Sequence, residues 1–129
     1  MGGVTVRVLI VDDQAVFADA LRLWLDSRSG IEVVGVAHTG PEAVDLAVTG
    51  DAEAVLMDVG LPDGFDGLEA TRRLLALRPD TKVIALTGQT EDEGKAAALD
   101  AGVVEFLTKG NIHEVIQDAI IRVAGTPLH

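Results

Sequence analysis

The strongest constraint on this chain is its rhythm: short apolar runs rich in β-branched residues, at 6–11, 32–37, 54–58, 82–87 and 103–108, separated by stretches of helical spacing. Alternation of that kind predicts repeated strand–helix units and a parallel sheet, because parallel neighbours need a crossover long enough to hold a helix. The apolar residues are aliphatic, with three Phe, one Trp and no Tyr in 129 residues, which suits strands covered on both faces by Ala-rich helices. A length of 129 residues fits one domain, with a core expected over about 5–124 and a tail or linker start at 125–129. Five βα units, each able to cross right-handedly, then give an α/β, doubly wound, open parallel sheet of five strands.

The helices announce their starts. Thr39-Gly40-Pro41-Glu42 and Thr90-Glu91-Asp92-Glu93 read as capping boxes, and Asp66 and Asn111 as caps of the third and fifth helices. Ile112, Val115, Ile116, Ala119 and Val123 mark the buried stripe of the last helix. Phe17, Leu21 and Leu25 do so for the first, with Gly30 ending the turn after it. The fourth helix holds Gly94 and has only Leu99 as a large apolar residue, so mobility is expected there.

Charge and composition narrow the function. A net charge of -11 argues against gripping nucleic acid by its phosphates and favours cations or basic partner surfaces. With no cysteine, disulfides, thiol catalysis and thiolate metal sites are excluded, and a cytoplasmic location is the expectation. No basic segment followed by a long apolar stretch opens the sequence, and no run approaches a membrane span. His38, His113 and His129 are too scattered to form a set and read as surface residues, while Trp24 reads as core or rim.

Polar residues gather at the carboxyl ends of the expected strands, where open α/β sheets bind their ligands. They are Asp12 and Asp13 after the first strand, Asp58 after the third, Thr87 after the fourth and Lys109 after the fifth. One such Asp is usually a turn former, but five matching groups spread over four strand ends make a site the better explanation. Converging carboxylates ionise together only beside a cation, and an oxygen-only donor set favours a hard ion such as Mg²⁺. With an ammonium and a hydroxyl to take phosphate oxygens, the set describes acyl-phosphate formation on an Asp.

Here the chain resembles the receiver domains of two-component response regulators. The resemblance runs from Val6 to Val123, through Val11-Asp12-Asp13, Leu56-Met57-Asp58 with Leu61-Pro62 and Asp66-Gly67, Leu86-Thr87-Gly88 and Phe106-Leu107-Thr108-Lys109. It implies a flavodoxin-like, CheY-like (βα)5 fold with strand order 2-1-3-4-5. It also implies phosphoryl transfer from a sensor histidine kinase to Asp58. The implied metal ligands are Asp12, Asp13, Asp58 and the Gly60 carbonyl, holding Mg²⁺ with Mn²⁺ as the alternative ion. Thr87 and Lys109 would contact the phosphoryl group, and Phe106 would be the aromatic switch. The segment Asp66 to Arg73 looks most like the NarL/FixJ subfamily, whose members carry a LuxR-type helix-turn-helix after the receiver. DNA would then be reached only through an output domain beyond this chain, with homodimerisation on phosphorylation. The alternative is a stand-alone or phosphate-independent receiver acting by protein contact.

Departures from the family pattern are a loop after Pro62 that is one residue longer, Gly110 where many receivers have proline, and a side-chain-free Gly60. Two other functions fit less well. An aspartyl-phosphate hydrolase needs a second acid two residues past the nucleophile, where Gly60 stands. A flavin binder needs a phosphate-cradling first turn, where Asp12-Asp13 would repel the phosphate.

Overall fold

In the computed structural model, which describes residues 5–61, 66–88 and 92–124, the expected alternation is realised. The chain runs β1 (Val6–Val11), α1 (Ala15–Asp26), β2 (Ile31–Ala37), α2 (Gly40–Thr49), β3 (Ala54–Asp58) and α3 (Gly67–Leu77). It continues through β4 (Lys82–Thr87), α4 (Asp92–Ala101), β5 (Glu105–Thr108), a 3-10 turn at Lys109–Asn111 and α5 (Ile112–Ala124). All strand pairings are parallel and the order is β2-β1-β3-β4-β5.

Strand alternation divides the core in two. Val8 and Ile10 of β1, Leu56 of β3, and Ile84 and Leu86 of β4 pack with Ala18, Leu21 and Leu25 of α1 and Ile116 and Ile120 of α5. The intervening residues Leu9, Val11, Val55, Met57, Val83 and Ala85 pack with Ala43, Ala47, Ala70, Leu74 and Ala98 on the other face. Both faces of the central strands are therefore dry, which is why their sequences read as unbroken apolar runs. Phe17 is only half-buried at the margin of the first cluster.

Caps at α2 and α3 are as expected. Thr39 Oγ1 accepts the Glu42 N–H at 3.2 Å, while Glu42 reaches back to the His38 N–H at 2.8 Å, one residue before the usual partner. Asp66 Oδ1 accepts from both Leu68 and Glu69 N–H groups, a cap worth about 1 kcal/mol. The chain enters α5 differently: Thr108 is extended and the 3-10 turn follows, so Asn111 lies inside helical backbone rather than ahead of it. Its side chain, like Thr90 and Glu91 of the other expected box, lies outside the described residues.

Two strand limits are corrected. β5 starts at Glu105 rather than at 103, because Val103 lies in the turn that closes α4. Gly102 takes φ +114°, its N–H bonds the Leu99 carbonyl and the Val103 N–H bonds the Ala98 carbonyl, which closes a Schellman turn. β2 starts one residue earlier, at Ile31, because Gly30 (φ 84°) turns the chain and its carbonyl accepts the Val6 N–H. In α4 the buried contacts are made by Ala98 and Ala101, and Leu99 is half exposed. Among the described residues no helix is long and apolar enough to cross a membrane.

Candidate functional site

The sheet order places β1 beside β3 at the centre, with β2 and β4 leading outward, so the chain's topological switch point lies between the ends of β1 and β3. Val11 pairs with Met57 as the last register position, which brings Asp12 and Asp58 side by side at the next step. Both also share the parity of Ile10 and Leu56, the residues that face α1 and α5. That parity explains how an ammonium at the start of the β5–α5 connection can meet them.

Asp12 is fully buried and Asp58 is 6% exposed. Each is held by a backbone amide two residues on: Gln14 N–H donates to Asp12 Oδ1 at 2.8 Å, and Gly60 N–H to Asp58 Oδ1 at 2.9 Å. Those Asx turns fix both carboxylates as the chain leaves its strands. Asp13 is exposed at the rim, and one carboxylate oxygen from each of the three aspartates lies within 4.8 Å of the others. Lys109 Nζ sits 2.6 Å from Asp12 Oδ2 and 3.4 Å from Asp58 Oδ2. It also donates to Gln14 Oε1 at 3.1 Å and lies 4.7 Å over the Phe17 ring.

Burial pushes the Asp58 carboxyl up from 3.8 to about 6. The Gly60 N–H opposes this, the Asp12 charge adds to it, Lys109 opposes it and the contact with Asp13 adds to it. The nucleophile candidate is thus an ionised but poorly solvated carboxylate near neutral pH.

One oxygen tests whether a cation belongs here. Asp12 Oδ2 is buried and faces the Lys109 ammonium at 2.6 Å as an ion pair. A carboxylate oxygen keeps acceptor capacity beyond one such contact, and a divalent ion could take it up. Three hard oxygen donors without sulfur or nitrogen suit Mg²⁺. The residues fit the ion.

The other expected site residues are placed as follows. Thr87 ends β4 one step past the Asp58–Leu86 pair and is in register with Thr108. Phe106 is half-buried, pairs with Ala85 and packs against the cluster on the α2–α4 face. Gly60 contributes an amide donor to Asp58. Pro62 to Phe65, and with them the lengthened loop, lie outside the described residues.

Gly67 is a site residue that sequence reasoning passed over. A Cβ there would lie 2.2 Å from the Asp58 carbonyl oxygen and 2.9 Å from the Val59 Cα. The first residue of α3 is therefore packed directly on the phosphoacceptor candidate's backbone, and only glycine permits that approach. Buried Thr71 reinforces this turn by donating its hydroxyl to the Gly67 carbonyl at 2.7 Å. The Asp66-Gly67 pair was visible as a motif; its contact across the loop with Asp58 was not.

Comparison with known proteins bears on the family and the fold. Residues 8–121 match the response regulator receiver domain family. The chain is 40% identical over 121 residues to the response regulator GacA of Pseudomonas viridiflava, covering 93% of this chain and 56% of that protein. It is 38% identical over 115 residues to the response regulator UvrY of Escherichia coli K12, covering 89% and 52%. Among solved structures, the signal receiver domain of NarL from Mycobacterium tuberculosis superposes with a TM-score of 0.88 at 26% identity, covering 96% of this chain and 99% of that one. The chain spans about half the length of the curated relatives it matches.

Proposed function

The chain belongs to the response regulator receiver domains of two-component systems, within the NarL/FixJ subfamily, and from that premise we propose that it is a Mg²⁺-dependent phosphoacceptor switch with Asp58 as the acceptor. The observation that carries this reading is the convergence of Asp12, Asp13 and Asp58 within 4.8 Å, with the Lys109 ammonium against two of them.

Asp12, Asp13, Asp58 and the Gly60 carbonyl would hold the metal ion. When bound, Mg²⁺ supplies positive charge that keeps the carboxylates ionised and neutralises phosphoryl oxygens. The residues of the chain do the rest. The Gly60 N–H holds Asp58 Oδ1, leaving Oδ2 on the side that faces Lys109. That oxygen attacks phosphorus of a phosphohistidine; the P–N bond breaks and the imidazole leaves with its electron pair. Lys109 then moves from carboxylate to phosphoryl oxygen, and the Thr87 hydroxyl takes another. Drawing Thr87 inward opens room for Phe106, which repacks the surface of α4, β5 and α5. Hydrolysis of the acyl phosphate at the same site returns the switch to rest.

The donor is a sensor histidine kinase, and Val16, two residues past Gln14 on the first turn of α1 and 86% exposed, offers such a partner an apolar side chain. Output is phosphorylation-dependent pairing and transcription control through a DNA-binding region outside this chain. The chain's charge of -11 supports that division, since it suits no phosphate backbone. The test is chemical trapping. After exposure to a small phosphodonor and Mg²⁺, borohydride reduction converts an aspartyl phosphate to homoserine, and peptide mass mapping should find it at position 58. Homoserine at Asp12 or Asp13 instead would refute the assignment.

A further inference from the structure

Gln14 occupies the N-cap position of α1, yet its side chain makes no capping hydrogen bond. Ser, Thr, Asp and Asn serve that position by bonding a first-turn amide, and glutamine is too long to do it well. Here the amide reaches 95 residues along the chain and accepts from Lys109 Nζ at 3.1 Å. One turn on in the same helix, the Phe17 ring lies beneath the same ammonium at 4.7 Å. Gln14 itself starts from a fixed point, because its N–H is held by Asp12 Oδ1 at 2.8 Å.

We propose that Gln14 is a positioning residue for Lys109, with its side-chain oxygen and the Phe17 face forming a neutral cradle on α1 that holds the ammonium over Asp58. The proposal rests on the phosphoacceptor reading and deepens it. An ammonium has three N–H donors and no acceptor. Two of its contacts, Asp12 Oδ2 and Asp58 Oδ2, are charged and change when a cation or phosphoryl group enters. Gln14 and Phe17 are uncharged and lie on α1, so their hold persists while the carboxylate contacts are exchanged. Without that hold, the ammonium is placed by the carboxylates alone and shifts as their contacts are exchanged, which misplaces it for the phosphoryl oxygen. A misplacement on the ångström scale is enough to slow transfer by roughly tenfold or more.

The chain's lysines are Lys82, Lys95 and Lys109, and the first two are exposed. A lysine-ammonium NMR spectrum of the metal-free protein should therefore show a slowly exchanging signal from Lys109, identified by its loss in Lys109→Arg. Gln14→Met keeps length and removes a good acceptor; Gln14→Glu keeps an acceptor at the same reach. We expect Gln14→Met to shift this signal and speed its exchange several-fold, Gln14→Glu to retain slow exchange, and Gln14→Met to slow Mg²⁺-dependent phosphoryl uptake from phosphoramidate roughly tenfold. Unchanged exchange in Gln14→Met overturns the cradle, and faster exchange with an unchanged uptake rate overturns its positioning role. Failure of the underlying reading looks different: the wild type would take up no phosphoryl group, while the NMR comparison still reports the contact.

Discussion

Replacing Asp58 by Asn should stabilise the metal-free domain while destroying its function. In the folded chain burial holds the Asp58 carboxyl at about 6, against 3.8 for the free group. The folded state therefore binds more protons than the unfolded state between those values, and wild-type stability falls as pH rises through that window. Above about 6 the whole penalty is present; below 3.8 it is gone. A shift of about two units corresponds to about 3 kcal/mol at 1.36 kcal/mol per unit, an upper figure for what the neutral amide recovers. Asn retains an oxygen for the Gly60 N–H but gives up the charge contact with Lys109, so a gain of about 1–3 kcal/mol is expected at pH 7. For a domain of this size that is a rise in Tm of roughly 4 °C per kcal/mol. Urea and thermal unfolding in chelator at pH 7 and pH 4 measure it. The gain should be present at pH 7 and shrink toward zero at pH 4. A variant no more stable than wild type at pH 7, or a gain that ignores pH, would refute the electrostatic account of the site.

Further outcomes follow from other contacts. Gly67→Ala drives a methyl group to 2.2 Å from the Asp58 carbonyl, and should cost about 2 kcal/mol or more and weaken Mg²⁺ affinity, read by denaturation and calorimetry. Lys109→Ala leaves Asp12 and Asp58 facing each other, so the metal-free domain should lose about 2–4 kcal/mol while Mg²⁺ binds more tightly. The same variant should accept some phosphoryl but lose the accompanying spectral change. Asp51→Val places a β-branched residue at φ 54° and removes the Arg78 ion pair, so the urea midpoint should fall.

Strand identities were legible because burial on both faces writes itself as unbroken apolar runs; β1, β3 and β4 match the expected ranges to the residue. At β5 the error fell where a helix-ending turn consumed strand-like residues, and at β2 the turn at Gly30 let the strand begin one residue sooner. Val103 has strand chemistry, but its N–H closes the end of α4, and nothing in the run Val103-Val104 signals that. Asp51 is a parallel case: Gly50 precedes it, yet Gly50 stays right-handed and Asp51 takes the left-handed position, secured by Arg78 and by Arg7 on its carbonyl. The aspartates and Lys109 were legible because the strand ends they follow are legible. Gln14, Phe17 and Gly67 were not assigned roles at the site. Their contacts are with Lys109 and with the Asp58 backbone, and depend on where the first and third helices dock rather than on local pattern.

The most direct test of the central claim is intact-mass spectrometry of wild type and Asp58→Ala after incubation with a small phosphodonor, in Mg²⁺ and in chelator. The account predicts a single phosphoryl adduct on wild type in Mg²⁺, little in chelator and none on the variant. An equal adduct on Asp58→Ala, or none on wild type with any donor, would contradict it.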